Sequence, residues 1–361
     1  MKKLRSGYTT GACAAAAAKG AMLAFLDGKA VQEVEIPFPD GSRVKFALSR
    51  CELLDSVPKT ALAAVIKDAG DDPDVTNGAT IEVSISANLD QLSPERILLA
   101  GGKGVGTVTK PGLALAVGEP AINPVPRRMI REAVSEALLQ NGCEQDSRYR
   151  VTISIPAGEF LATKTLNSRL GIIGGLSILG TSGIVRPVSA EAWTATITAS
   201  MNVAAGTGCR EIVLSTGRTS ERAVQKRLSF PEEALVMMGD YLKFSLEEAG
   251  RFGFTRIHIA GMWAKIVKAA LTIPQTHVRN GALEVSQAIA LIGELGFSRA
   301  ITDNLAGSNT AREIYTRLRA SGNTDVIERV CKKAREYCAQ TASLPVNVHL
   351  VDATGAIVVF V

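Results

Sequence analysis

At 361 residues, with 46% hydrophobic, 21% charged and 5% aromatic residues, the chain holds enough aliphatic material for two ordinary domains and excludes a disordered or fibrous protein. Forty Lys+Arg against 35 Asp+Glu leave a net charge of +5, which excludes the clustered basic excess of a nucleic-acid binder. The excess is local: residues 101–186 hold ten Lys/Arg and six Asp/Glu, so +4 of the +5 falls in that block.

In chain order, the first predicted helix covers 11–27. Thr9 or Thr10 caps it, the alanine run has the best intrinsic propensity, and Asp27-Gly28 stops it. Residues 31–48 read as two strands joined at a Pro39-Asp40-Gly41 turn. TALAAVIKDAG (60–70) reads as a helix, and ATIEVSISANL (79–89) alternates with period two as a strand. After a glycine-rich segment (101–118), a helix over 124–140 is entered through Asn123-Pro124-Val125-Pro126 and ended at Asn141-Gly142. YRVTISIP (149–156) is a strand. REIVLSTG (210–217) and FTRIHIAG (254–261) each read as a strand entering a glycine turn, with helices from about Thr219 and Met262. Two such units imply a parallel sheet with its ligand crevice at the strand C-terminal ends. The last segment is a hairpin turning at Asp352-Ala353-Thr354-Gly355. The predicted fold class is mixed α/β and α+β. An N-terminal α+β domain (1–200) precedes a smaller parallel α/β, Rossmann-like region (201–340), and a C-terminal β-hairpin (341–361) packs back on the core.

Six cysteines without a C-x-x-C pair imply reduced, mostly buried thiols and a cytoplasmic location. The N-terminal run of alanines, broken by Thr9, Thr10 and Lys19, is too weakly hydrophobic for a signal peptide. The uncharged stretch 170–185 has 16 residues and five glycines, too short and too broken to span a membrane, so no membrane partner is expected.

His258, His277 and His349 show no metal-ligand spacing, so no protein-bound metal is expected; His258 and His349 alternate within strands and read as structural. G-x-S-x-G, H-E-x-x-H and Walker signatures are absent. What remains is glycine turns with basic or hydroxyl neighbours. Gly101, Gly102, Gly104 and Gly106, with Lys103 and Lys110, can present backbone amides to an anion or form an ordinary tight loop. Arg127 and Arg128 open a helix where cations are disfavoured, which points to a bound carboxylate or phosphate; a solvated charged face is the alternative. Thr9, Thr10 and Gly11 form a second helix start, serving as cap or ligand contact. Asp71, Asp72 and Asp74 repel one another, which would raise at least one pKa and create a general base; a simple acidic turn is the alternative.

LRSGYTTGACAAAAAKGA (4–21), AGDDPDVTNGA (69–79), GGKGVGTVTKPGLALAVGEPAINPVPRRMI (101–130) and LNSRLGIIGGLSILGTSGIVRPVSAEAW (166–193) together resemble the cobalt-precorrin-5B C-methyltransferases of anaerobic cobalamin biosynthesis. The resemblance implies transfer of a methyl group from S-adenosylmethionine to carbon 1 of a cobalt tetrapyrrole, giving cobalt-precorrin-6A. The cobalt arrives with the substrate. A carboxylate-rimmed macrocycle would be held by Lys103, Lys110, Arg127, Arg128, Arg169, Arg186 and the helix starts at Thr9 and Thr10. Asp72, Asp74 or Glu119 would serve as base. Gly101, Gly102, Gly104 and Gly106 would hold the donor, ahead of the turns at Ser215-Thr216-Gly217 and Gly261. The chain departs from the family's Gly-His-Ile-Gly-Lys segment, reading Gly261-Met262-Trp263-Ala264-Lys265. Thr276-His277 matches the family's Thr-His pair, which makes His277 a substrate-contact candidate. That departure keeps a non-catalytic tetrapyrrole-binding protein as an alternative, and the lysine-bearing glycine loop keeps a transferase of phosphorylated small molecules. Homo-oligomerisation and transient contact with neighbouring pathway enzymes stay open.

Overall fold

The computed structural model describes residues 4–87, 95–143, 147–187, 189–276 and 283–361. They form two compact units, Met1–Ser189 and Ala190–Val361. The fold is mixed α/β and α+β.

The first unit is built around the alanine-rich helix Thr10–Asp27. Thr9 caps it by accepting from the Ala12 amide, and Gly28 ends it in the left-handed conformation at φ 70°. Ala12 and Ala14 to Ala18 are fully buried. Side chains this small let the helix lie close to both the sheet and the helix Pro124–Gln140, and Phe38, Phe46 and Tyr149 are buried in the same core.

The sheet beside it has five strands in the order Arg50–Leu54, Thr60–Ile66, Thr80–Ala87, Tyr149–Ser154, Ile97–Gly101. Neighbours are antiparallel except the last pair, which is parallel. Residues 60–70 are therefore a strand, Thr60–Ile66, where the sequence predicts a helix. The reason is tertiary: Ala61, Ala63 and Val65 alternate inward beneath the alanine helix, and two flanking strands satisfy the backbone. Helix propensity, worth a few tenths of a kcal/mol per residue, yields to that pairing. The predicted hairpin is present as Glu33–Pro37 and Arg43–Ala47, turning through Gly41 at φ 83°.

The second unit carries a five-stranded sheet in the order Leu235–Met237, Glu211–Ser215, Arg256–Gly261, Val346–Val351, Ile357–Phe360. The first four strands are parallel and the last is antiparallel. The C-terminal hairpin thus completes this sheet. The chain runs from Glu211–Ser215 outward to Leu235–Met237 and then returns to the opposite side at Arg256–Gly261, which makes a switch point between the two middle strands. The unit begins with the helix Ala190–Gly206, which packs on Leu235–Met237 and on the helix Leu242–Ala249. The boundary consequently lies at Ser189/Ala190, and the expected 200/201 position falls inside that helix.

Candidate functional site

The helix Pro124–Gln140 buries Pro126, Met129, Ile130, Ala133, Val134, Ala137 and Leu138. Helical periodicity then turns Arg128, Arg131, Glu132 and Ser135 outward together. With Ala114, Leu115, Glu119, Pro124 and Arg127 they line an open groove of about 540 Å³, a size suited to a small molecule.

The two predicted arginines do different work. The Arg127 side chain is four-fifths buried; its Nε donates to the Ile122 carbonyl at 2.6 Å, one terminal nitrogen to the Pro120 carbonyl at 3.2 Å and the other to Glu119 Oε1 at 3.3 Å. It clamps the loop that forms the groove wall. Arg128 is more than half exposed and lies 3.9 Å from Glu132, a separation that leaves its fork available to an incoming anion. Arg131, which sequence reasoning missed, contributes a third guanidinium and is paired with Glu95 at 2.8 Å. Its signal was the i, i+3 spacing from Arg128. Glu119 lines the same groove and also accepts from the Ala116 amide at 3.1 Å.

The glycine turn at 101–106 is filled by protein. The Gly102, Val105 and Gly106 amides donate to the carbonyls of Ile153, Gly102 and Leu176. A Cβ at Gly104, where φ is +73°, would lie 2.0 Å from the Ile155 carbonyl oxygen, and Gly158 and Gly175 crowd the same backbone. Gly101 would meet Pro120 at 2.9 Å. The glycines here permit backbone to cross backbone.

At the first helix start, Thr9 and Thr10 are both buried. Thr9 Oγ1 caps Ala12; Thr10 Oγ1 accepts from the Leu179 amide at 2.9 Å, and the Gly11 amide donates to the Leu179 carbonyl at 3.0 Å. Residues 179–183 close that end.

The aspartates behave differently from expectation. Asp74 pairs at 2.6 Å with Lys67, whose side chain is 1% exposed, and accepts from the Thr76 amide and hydroxyl. Burial alone would raise the Asp74 pKa, but the Lys67 ammonium and the Thr76 donors outweigh it and hold the carboxyl below its ordinary value. Asp71 accepts from the Arg5 amide at 2.7 Å, and Asp72 is half-buried. Neither Asp72 nor Asp74 lines the groove. Lys103 and Arg186 are exposed, Lys110 lays its stem over Gly171, and Arg169 is half-buried; these four also lie off the groove lining. His277 lies outside the described residues.

In the second unit, the Gly261-Met262-Trp263-Ala264-Lys265 segment enters the helix Trp263–Ala270. Lys265 donates to Asp240 and, at 2.9 Å, to the Thr276 carbonyl; the Thr276 hydroxyl donates to Asp240 at 2.8 Å. The structure thus joins Lys265 and Thr276, both named from the resemblance, through Asp240, which sequence reasoning missed. Asp240 lies 23 residues after Gly217, a spacing that could have found it. Lys268 is buried beside them, and burial followed by the Lys265 charge lowers its pKa. His258 and His349 form a buried pair, Nδ1 to Nε2 at 2.9 Å, and His258 Nε2 meets Glu211 at 2.9 Å. Among the described residues, no group of three or more His, Cys, Asp or Glu is placed to hold a metal ion, and no helix is long and apolar enough to cross a membrane.

An arginine-lined groove on one unit and a mostly parallel sheet in the other mark a mixed α/β protein. The family model described as CbiD matches residues 1–187, and that described as CbiD, C-terminal domain, matches 275–360; the chain belongs to the CbiD family. A relative from Desulfotalea psychrophila, named cobalt-precorrin-5B C(1)-methyltransferase, is 53% identical over 99% of this chain and 98% of its own length. Relatives of the same name from Geobacter metallireducens and Geobacillus kaustophilus are 47% and 43% identical, over 99% and 98% of this chain and 99% and 92% of their own lengths. The crystal structure of a cobalamin biosynthesis protein (cbiD) from Archaeoglobus fulgidus matches with a TM-score of 0.41 at 25% identity, covering 88% of this chain and 85% of that one.

Proposed function

We propose that the chain methylates carbon 1 of cobalt-precorrin-5B, with S-adenosylmethionine as the methyl donor. The observation that carries this reading is the 53% identity over nearly the whole chain to a relative bearing that name. The groove supports it chemically. A macrocycle rimmed with carboxylates suits a guanidinium that is held on a rigid helix and open to an anion; Arg128 stands in that position, and Arg131, paired with Glu95, borders the same groove.

Methyl transfer from a sulfonium is an in-line displacement: the ring carbon forms the new bond to the methyl group as the sulfur–methyl bond breaks. Holding donor and acceptor in line supplies about 7–11 kcal/mol without a covalent protein intermediate. Arg127 keeps the 119–122 wall in place, and Arg128 and Arg131 orient the substrate by its rim. A carboxylate is needed only for a ring proton released with the methylation. Of Asp72, Asp74 and Glu119, we assign that role to Glu119, since it faces the groove. The six free thiols support a reducing, cytoplasmic setting.

Incubation of the purified chain with cobalt-precorrin-5B and S-adenosylmethionine should yield a tetrapyrrole heavier by one methyl group and an equal amount of S-adenosylhomocysteine. Unchanged tetrapyrrole from a competent substrate preparation would rule the activity out. A transferase of phosphorylated molecules loses its motive, because amides of the 101–106 turn are hydrogen-bonded within the protein.

A further inference from the structure

Of the glycine turns that could receive the donor, those at 101–106 and at 217 differ in what occupies them. Beside Gly102, Gly104 and Gly106 a Cβ would lie 2.2, 2.0 and 2.4 Å from protein atoms. At Gly217 a Cβ would meet nothing within 4 Å, and φ is 173°, which any residue adopts. The fold makes no demand for glycine at 217, and the turn faces open space. It connects the strand Glu211–Ser215 to the helix Arg218–Leu228, whose start has no side-chain cap. Strand order reverses beside it, which is where parallel α/β sheets take ligands.

Two further features border this edge. From Gly217 the chain passes through the helix and the neighbouring strand Leu235–Met237 to Asp240, 23 residues on. An acid about 20 residues after the first glycine turn is the position that binds ribose hydroxyls in such units. Asp240 is fixed by Lys265 and Thr276. Trp193 lies against Gly239, donates its indole N–H to the Met238 carbonyl at 3.3 Å, and stacks on Tyr241 with ring centroids 6.4 Å apart. It is 44% exposed, which leaves ring surface for a flat partner.

We propose that this sheet edge, and not the 101–106 turn, binds the adenosyl sulfonium amino acid. Asp240 accepts from the ribose hydroxyls, Trp193 stacks on the adenine, and the amides that begin the helix Arg218–Leu228 receive the carboxylate. The inference rests on the methyltransferase reading above.

Calorimetric titration of the full-length protein with S-adenosylhomocysteine tests it without any tetrapyrrole. Gly217→Glu should fold normally, because the backbone accepts any residue and an acid suits a helix start, yet weaken binding about tenfold or more by repelling the ligand carboxylate. Trp193→Ala should weaken it by a similar factor. In the wild-type protein the ligand should quench tryptophan fluorescence, and Trp193→Phe should abolish that quench while Trp263 stays in place. Wild-type binding with unchanged affinity in both Gly217→Glu and Trp193→Ala overturns the location and leaves the methyltransferase reading standing. Absence of S-adenosylhomocysteine binding to the wild-type chain overturns the donor reading and the location with it.

Discussion

Arg127 and Glu119 face each other at 3.3 Å across the start of the helix Pro124–Gln140, and their contact ties the groove's loop wall to its floor. The neighbouring arginine, Arg128, is on the same helix yet points to solvent. Arg127→Ala should therefore lower stability by about 1–3 kcal/mol, because the carbonyls of Pro120 and Ile122 lose a charged donor. Arg128→Ala should leave the melting temperature within a degree or two and weaken tetrapyrrole binding about tenfold. Thermal melts and a substrate titration on the two variants separate the roles; equal effects on both readouts would refute the division.

Lys67 and Asp74 yield a second expectation. Asp74→Asn leaves a buried ammonium with a weaker partner, and should destabilise the first unit by about 3 kcal/mol. Because the folded Asp74 carboxyl sits below its ordinary pKa, the pair's contribution is complete above the ordinary carboxylate range and fades as pH falls through the folded value. Urea titrations at neutral and acid pH measure this. A variant as stable as wild type at neutral pH would contradict the pairing.

Acid should loosen the units in sequence. Burial, with His258 and Arg227 adding to it, holds His349 down to about 4. A neutral histidine of this kind stabilises fully above its ordinary pKa near 6.5, and its contribution is lost as pH falls from there to about 4. In the first unit, Glu136 is bonded to Arg43 and Lys19 and lowered to about 2, so its contribution fades only between about 4.5 and 2. His349→Phe should flatten the stability profile between pH 6.5 and 4 and leave the lower limb intact. The same slope in variant and wild type would exclude His349 as its source.

The glycines predict opposite outcomes at two turns of similar sequence character. Gly104→Ala must force a Cβ into the Ile155 carbonyl at a positive φ and should cost about 2 kcal/mol or more. Gly217→Ala should be neutral in a thermal melt. Equal melting temperatures for both variants would contradict the packing described.

How much of this the sequence shows depends on how local each cause is. The hairpin through Gly41 and the helix opening at Pro124 are legible, because turn chemistry and apolar periodicity act within a few residues. Thr60–Ile66 is misread since its alanines serve the helix above it and not their own propensity. Arg128 is legible as an exposed residue of the helix start, but Arg127 turns inward toward carbonyls whose position only the folded loop sets. Asp240 and Thr276 are 36 residues apart and meet only through tertiary structure. Likewise, nothing local separates the filled glycine turn at 101–106 from the open one at 217.

Reaction of the purified chain with cobalt-precorrin-5B and S-adenosylmethionine carrying a carbon-13 methyl group tests the central claim most directly, with the product read by nuclear magnetic resonance. The label is expected at carbon 1 of the tetrapyrrole, in an amount equal to the S-adenosylhomocysteine formed. Label on another ring carbon, or none on a substrate shown to be competent, would contradict it.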